Sequence, residues 1–349
     1  MLRLLPLALT ALLLALSGCG SDDDEDAAPS TTAATETQAG EQLRVGLITD
    51  LGQLDDNGFN ELAFKGLKRA ESELGVKGRV IESVSAADYL PNMTRLARDG
   101  YDLVIGVGFA QGDAIGKVAQ RFPDTKFAII DVDQAFVPGT PPNVQGLLFR
   151  EEEVGYLAGY LAGLEEKRRA GKDVISAVGG MKEPPVDRFI AGYFAGAKKA
   201  APGITLFHDY SQDWDDQAKC KELALNQIAR GSNVIFQVAG GCGLGALNAA
   251  DERGKLGIGV DADQSFLGDH ILTSAQKGVD AAVFLTIQSI QDGSWTGGGN
   301  STYGLKEDGV GLGKVSSTVP QEDAEKVDEV EQQIADGEIS GIPTTVGKS

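Results

Sequence analysis

Arg44-Val-Gly-Leu-Ile-Thr-Asp-Leu-Gly-Gln-Leu-Asp-Asp-Asn-Gly-Phe-Asn60 is the stretch that decides the fold. Its front, Arg44–Thr49, is short, apolar and β-branched, as a buried parallel strand is. Asp50 stands where the strand ends, and Glu61-Leu-Ala-Phe-Lys-Gly-Leu-Lys-Arg-Ala70 then runs at helical spacing. In an open α/β sheet, ligands bind beyond the carboxyl ends of the strands. The loop between strand and helix is therefore a place to hold a ligand. Its carboxylates, its amide and the ring of Phe59 suit a neutral, flat, hydroxyl-rich molecule. Helix capping by Asp55, Asp56 or Asn57 accounts for any one of the polar residues, but not for Phe59.

Outward from this stretch, strands and helices alternate. Strands are expected at Gly78–Ser83, Leu103–Gly108, Lys126–Val132 and Val144–Phe149, with helices at Phe59–Leu74, Tyr89–Asp99, Gln111–Arg121 and Glu151–Glu166. The pattern restarts after the charged run 165–172. Strands Val174–Gly179, Thr205–Tyr210, Val234–Val238 and Leu256–Val260 alternate with helices Val186–Ala201, Asp215–Ala229 and Gly245–Gly254. Leu272–Lys277 reads as a return crossing, followed by a helix at Val279–Gln291, a glycine-rich stretch, a short strand near Gly309–Leu312 and an acidic surface helix, Gln321–Asp336. Alternation of this kind is the signature of parallel α/β units. The expected division is residues 42–168 with 272–294 as lobe 1, and 169–271 with 295–345 as lobe 2, with a cleft between lobes that close about a hinge.

The first residues are an address. Arg3, the apolar run Leu4–Leu16 and Leu16-Ser-Gly-Cys19 form a targeting segment, residues 1–19, too short in its apolar part to span a bilayer. Leu-Ser-Gly-Cys resembles the bacterial lipobox, which makes Cys19 the lipidated mature N-terminus. Residues 20–41, with Asp22-Asp-Asp-Glu-Asp26, read as a disordered acidic tether. The expected location is the extracytoplasmic face of the cell membrane, by lipid anchor alone.

A formal net charge of −20 makes nucleic acid an improbable partner, since phosphate binding needs clustered Lys and Arg. With Cys19 assigned, Cys220 and Cys242 remain. Outside the cytoplasm two thiols pair, and neither has a neighbour at zinc spacing, so a disulfide near the binding face is expected and a metal is not. Gly106-Val-Gly-Phe-Ala-Gln-Gly112 has glycines at the wrong spacing for a dinucleotide fingerprint. His208 and His270, the only histidines, lie in no nucleophile or metal motif, and there is no nucleophile elbow. Neither an enzyme nor a cofactor is expected.

Seven segments carry a resemblance: Thr49-Asp-x-Gly52, Asp55-Asp-x-x-Phe-Asn60, Phe149-Arg-Glu-Glu-Glu-Val-Gly-Tyr-Leu-Ala-Gly159, Phe189-Ile-Ala-Gly-Tyr-Phe-Ala-Gly196, Ala239-Gly-Gly-x-Gly243, Gly259-Val-Asp-Ala-Asp-Gln264 and Leu272-Thr-Ser-x-x-Lys277. In this order they resemble the basic membrane lipoprotein family, the purine-nucleoside-binding lipoproteins of bacterial ABC importers. The resemblance implies a type I periplasmic-binding-protein fold, two Rossmann-like lobes with a hinged cleft. It implies an ABC permease and its ATPase as partners, and guanosine, adenosine or inosine as ligand to a monomer.

The resemblance also implies roles. Asp50 and Asn60 read the polar edge of the base, and Phe59 stacks on its face. Asp131 and Asp261 accept from the ribose hydroxyls, one from each lobe, and Lys277 donates to the sugar side near the hinge. Gly240 and Gly241 let backbone approach the ligand, and Cys242 stands where the family usually has threonine. Trp214 is the expected second stacking ring, ahead of Phe236, which lies in an apolar strand. Glu151-Glu-Glu153 is explained by the helix dipole, and Asp133, Asp263 and Gln264 by turn and hinge chemistry. The alternatives are a pentose or other small polar solute in the same fold, or a nucleoside sensory protein or hydrolase.

Overall fold

The computed structural model describes residues 42–347; the expected leader, lipidation site and tether lie outside them. The chain runs β1 (Arg44–Ile48), α1 (Phe59–Leu74), β2 (Lys77–Ile81), α2 (Tyr89–Arg98), β3 (Leu103–Gly106), α3 (Gly112–Arg121), β4 (Lys126–Ile130), β5 (Val144–Phe149) and α4 (Glu151–Arg168). It continues with β6 (Val174–Gly179), α5 (Pro184–Ala200), β7 (Thr205–Tyr210), α6 (Gln217–Ala229), β8 (Val234–Val238), α7 (Gly240–Glu252) and β9 (Leu256–Asp261). The last elements are β10 (Ile271–Lys277), α8 (Val279–Gln291), β11 (Gly299–Tyr303), β12 (Val310–Leu312) and α9 (Gln321–Ala335).

Two six-stranded sheets form, in the orders β11-β5-β4-β3-β1-β2 and β12-β10-β9-β8-β6-β7. The first is parallel throughout; in the second only β12 is antiparallel to its neighbour. In each, the strand order reverses beside the first strand of its half, and that reversal opens the crevice where such sheets bind ligands. Successive residues of β1 and β3 face opposite sides and are buried on both. Val45, Leu47, Leu103 and Ile105 join one core, and Ile48 and Val104 another with Met93, Ile115 and Phe127. Helices cover both faces, which is why these strands read as unbroken apolar runs.

The structure redraws the expected lobe boundaries. Helix α4, assigned above to lobe 1, packs along α5 of the second sheet. The small residues along α4 decide this. Gly155, Gly159 and Gly163 meet α5 so tightly that a Cβ on Gly159 would collide with the carbonyl of Tyr193. Segment 272–277, also expected in lobe 1, is β10, paired with β9 in the second sheet. The glycine-rich stretch after Gly293 contains a strand absent from the expectation. This β11 pairs with β5 in the first sheet although 295–345 was assigned to lobe 2; Gly299-Asn-Ser-Thr-Tyr303 has no apolar alternation to announce it. The first lobe thus holds β1–β5, α8 and β11; the second holds α4, β6–β10, β12 and α9.

Three crossings therefore join the lobes, and they are bonded to one another. Arg150 N–H donates to Tyr303 O at 2.9 Å, Gly278 N–H to Gly309 O at 2.8 Å, and Leu305 N–H to the Glu153 carboxylate at 2.8 Å.

Candidate functional site

The carboxyl ends of β1, β4, β6, β8 and β9 converge on one cleft of about 620 Å³, open solvent at its mouth included. All nine residues expected to bind ligand line it: Asp50, Phe59, Asn60, Asp131, Trp214, Gly240, Gly241, Asp261 and Lys277. Residues from six separate stretches of chain meet there because each stretch lies at or just after the end of a strand or begins a helix.

One end is built on Lys277, the last residue of β10. Its Nζ lies 2.7 and 2.8 Å from the two oxygens of Asp131 and 2.9 Å from Glu151 Oε1. The three side chains are almost wholly enclosed, at 2%, 4% and 1% exposure. The rings of Phe149 and Phe59 stand 4.9 and 5.1 Å from the ammonium and wall it off from water. Glu151 is thus more than a partner for the helix dipole, the explanation its position suggested; it is a buried counter-ion at the hinge. Asp261 closes this end from the second lobe. Burial pushes its carboxyl up to about 7, helped by Asp131, Asp56 and Glu151 and only partly offset by Lys277. Burial likewise raises Asp131 to about 6 against the pull of Lys277. Burial acts the other way on Lys277, but the surrounding carboxylates outweigh it and hold the ammonium charged.

Asp131 and Asp261 are local analogues. Both have left-handed backbone, φ 71° and 62°, a conformation that Asp tolerates but that marks strain at functional sites. Asp131-Val-Asp-Gln-Ala-Phe136 and Asp261-Ala-Asp-Gln-Ser-Phe266 are an internal repeat. In each the second Asp caps the turn by accepting from the backbone two residues on, at 2.9 Å for Asp133 and 3.0 Å for Asp263. The repeat is the signal that pairs the two strand ends, and pattern reading overlooked it. The Gln of the second copy does more than turn chemistry: Gln264 donates to the Asn57 carbonyl across the cleft, at 3.2 Å.

The other end is built on Asp50. Tyr89 OH and Leu51 N–H both donate to its Oδ1, the latter at 2.8 Å, and burial raises its carboxyl against those bonds. Asn60 Oδ1 accepts from Asp50 N–H at 2.9 Å, while its Nδ2 has a 3.5 Å contact to Gln53 O. Gln111, from the glycine stretch dismissed as a fingerprint, donates to Ile48 O, Thr49 O and Val107 O and so fixes the end of β1. In that stretch Gly108, φ 110°, leaves room for the Asp50 carboxylate, and Phe109 lines the cleft. Asp56 caps α1, accepting from Gly58, Asn60 and Glu61 N–H at 2.9, 2.9 and 3.2 Å; Asp55 does not.

Trp214 lines the cleft, whereas Phe236 is fully buried between Phe189 and Tyr193. The Trp214 turn is rigid. Asp213 accepts from Asp215 and Asp216 N–H at 2.9 Å each, and these bonds with Lys219 hold its carboxyl at about 2. Helix α7 starts at Gly240, five residues before the expected helix, so Gly240 (φ 53°) and Gly241 form its first turn. Cys242 is therefore helical and not in a loop. Its N–H donates to Trp214 O at 2.9 Å, and its sulfur is bonded to Cys220 of α6. Phe189 and Glu183 also line the cleft; neither has a sequence signal for this beyond Phe189 heading the segment Phe189–Gly196 and Glu183 preceding Pro184-Pro185.

Two hinged α/β lobes with a ligand-sized cleft at the strand ends define a solute-binding protein of the periplasmic-binding type I fold. The chain belongs to the family described as ABC transporter substrate-binding protein PnrA-like, which it matches over residues 43–344. It is 33% identical over 360 residues to the ABC transporter nucleoside-binding protein BmpA of Lactococcus lactis, covering 96% of this chain and 97% of that one. It is 36% identical to an uncharacterized lipoprotein of Pyrococcus horikoshii, covering 79% and 71%. A solved ABC transporter solute-binding protein from Aeropyrum pernix superposes with a TM-score of 0.78 at 29% identity, covering 86% of this chain and 94% of that one. Among the described residues no helix is long and apolar enough to cross a membrane.

Proposed function

We propose that this protein captures a purine nucleoside in the interlobe cleft and delivers it to an ABC importer, held at the extracytoplasmic face by lipid on Cys19. The observation that carries the reading is the division of the cleft. At the Lys277 end, buried carboxylates from the two lobes, Asp131 and Asp261, offer acceptors for sugar hydroxyls. At the Asp50 end, aromatic rings and an acceptor suit a flat base with N–H groups. Trp214 and Phe59, whose ring also flanks the Lys277 end, stack on that base, and Asn60 Nδ2, weakly occupied by Gln53 O at 3.5 Å, is left to donate to it. Gly240 and Gly241 bring the start of α7 against the ligand. The relative named for nucleoside binding supports the same choice.

A free pentose held at the Lys277 end would leave the Asp50 end of the cleft unfilled. Hydrolysis needs a positioned acid and base, and of the two sugar-end carboxylates Asp131 is already engaged by Lys277 through both of its oxygens. The test is calorimetry on protein unfolded and refolded to strip retained ligand. Guanosine, adenosine or inosine should bind and free ribose should not; ribose binding alone would overturn the reading, and release of free base on prolonged incubation would make the protein a hydrolase.

A further inference from the structure

The two copies of the Asp-x-Asp-Gln-x-Phe turn use their glutamines differently. In the first lobe Gln134 Nε2 donates to Pro141 O at 3.1 Å, within its own lobe. In the second, Gln264 Nε2 donates to Asn57 O at 3.2 Å, reaching from the turn after β9 to the loop between β1 and α1. Among the described residues this is the only hydrogen bond or ion pair between the lobes apart from those at the three crossings and the Lys277–Asp131 pair. Gln264 is not part of the cleft wall, so contact with a ligand does not explain its placement.

Each end of this bond is held by its own lobe. Gln264 is 1% exposed, and Gly259 makes room for it, since a Cβ there would stand 2.7 Å from Gln264 Oε1. The backbone N–H of Gln264 donates to Ser274 Oγ at 3.0 Å, and its Oε1 accepts from Gln237 Nε2 at 2.8 Å and from Val260 N–H at 3.3 Å. Gln237 is fixed in turn, because its own Oε1 accepts from Ala239 N–H at 3.0 Å. With the Gln264 oxygen committed to two donors, the amide has one orientation and points Nε2 at the first lobe. On the other side Asn57 has left-handed backbone, φ 52°. Asp56 pins the residues that follow by accepting from Gly58, Asn60 and Glu61 N–H. A donor and an acceptor fixed in this way lose little further freedom when they meet.

We propose that Gln264 is a positioning residue: from the second lobe it latches the loop that carries Phe59 and Asn60, so that the rate at which bound nucleoside escapes depends on a side chain that does not touch it. This deepens the nucleoside reading and rests on it for the choice of ligand. Asn57 stands just before Gly58 and the start of α1 at Phe59. Gly58 packs on the second lobe as well, where a Cβ would lie 3.8 Å from the Cβ and Oδ2 of Asp261. The latch therefore ties the proposed base-binding loop of one lobe to the proposed sugar-binding strand end of the other. Parting the lobes far enough to free a ligand breaks the bond and leaves an enclosed amide N–H without its acceptor, which is costly. Entry into the parted lobes meets no such bond, so the effect falls on release, as most differences in affinity do.

Stopped-flow fluorescence of the cleft tryptophan follows capture and release of guanosine, adenosine and inosine by the stripped protein. The variants are Gln264→Met, Gln264→Glu and Asn57→Gly, with thermal melts to check folding. Gln264→Glu keeps the acceptor for Gln237 and Val260 and removes the donor. Asn57→Gly keeps the backbone carbonyl and adopts left-handed backbone without strain. Both Gln264 variants should release nucleoside roughly tenfold faster, the scale of one hydrogen bond, with capture within about twofold of the wild type. Asn57→Gly should release it like the wild type. Unchanged release in the Gln264 variants, or slowed capture alone, would overturn the latch and leave the nucleoside site standing. So would release from Asn57→Gly as fast as from the Gln264 variants, since the stiffness of the loop would then be the cause. A wild type that binds none of the three nucleosides would sink the nucleoside reading, and hydrogen exchange would then decide the latch alone. Exchange over residues 56–62 of the protein as purified should be faster in Gln264→Met than in the wild type, and equal exchange would overturn the inference.

Discussion

Lys277 Nζ lies 2.7 Å from Asp131 Oδ1, and the two residues belong to different lobes. Lys277 ends β10 just before the chain crosses to α8, and Glu151, its second partner at 2.9 Å, begins α4 just after another crossing. One ammonium therefore ties the proposed sugar-binding carboxylate of the first lobe to the hinge of the second. Opening the cleft by rotation about these crossings leaves the cluster near the axis, where displacement is least.

Replacing that lysine by methionine should leave Asp131, Glu151 and Asp261 enclosed with no cation among them. Breaking a buried pair from one side costs about 3–5 kcal/mol. Urea denaturation of Lys277→Met should show a loss of that order at neutral pH. The loss should shrink in acid, because Asp131 and Asp261, raised by burial and no longer held down by Lys277, take up protons and shed their repulsion. A pH-independent loss would mean that packing of the lysine stem dominates.

The same pair sets the sign of a proton effect on the ligand-free wild type. Both folded values lie above the 3.8 of the free carboxyl, so the closed folded form holds protons that the unfolded chain has released. Their contribution to stability is present in acid and is lost as pH rises through about 6 and about 7. On the proposed role of Asp261, ribose hydroxyls donating to it favour its ionised form, so nucleoside binding should release protons. Calorimetry in buffers of different ionisation enthalpy reads that release, and Asp261→Asn should reduce it.

Pattern reading reached the cleft because its key residues sit at strand ends. Asp50, Asp131 and Asp261 each close an apolar run, and strand ends are where an α/β sheet exposes backbone-fixed side chains. It failed at the edges. The polar run Gly299–Tyr303 is a strand only because β5 offers it an unpaired edge, a tertiary fact with no trace in periodicity. Helix α4 was assigned to the lobe that precedes it in the chain, yet its glycine face matches α5, and complementarity between two distant segments is invisible to a window. Glu151 and Glu183 were missed for a related reason: a glutamate at a helix start looks the same whether it faces water or a buried lysine.

Cys220 and Cys242 join α6 to α7 across 22 residues, and Cys242 N–H holds the Trp214 carbonyl at 2.9 Å. Closing a loop of that size stabilises by about 3 kcal/mol through the unfolded chain. The Cys220→Ala, Cys242→Ala double variant should melt lower than the wild type. It should also bind nucleoside more weakly, because the Trp214 turn loses the anchored helix start it rests on. A variant with lowered melting but unchanged affinity would limit the bond to a purely structural role, with Asp213 sufficient to hold the ring.

The charge in the cleft decides between nucleosides and their phosphates. Asp50, Asp131, Glu183 and Asp261 line it, Glu151 lies behind, and among the described residues Lys277 is the only cationic one in its wall. That ammonium is already shared by two carboxylates at 2.7 and 2.9 Å, so it has little capacity for a further anion. A 5′-phosphate seated at the sugar end would bring up to two negative charges into an enclosed site of like sign, where low polarity magnifies repulsion. The 5′-monophosphates should therefore bind at least about 100-fold more weakly than the parent nucleosides, a loss of about 2.7 kcal/mol. Direct competition against a retained nucleoside measures the ratio. Raising salt should not restore binding, since buried charges are poorly screened, whereas a phosphate left outside the cleft would bind nearly as well as the nucleoside and would show that the sugar end is open to solvent.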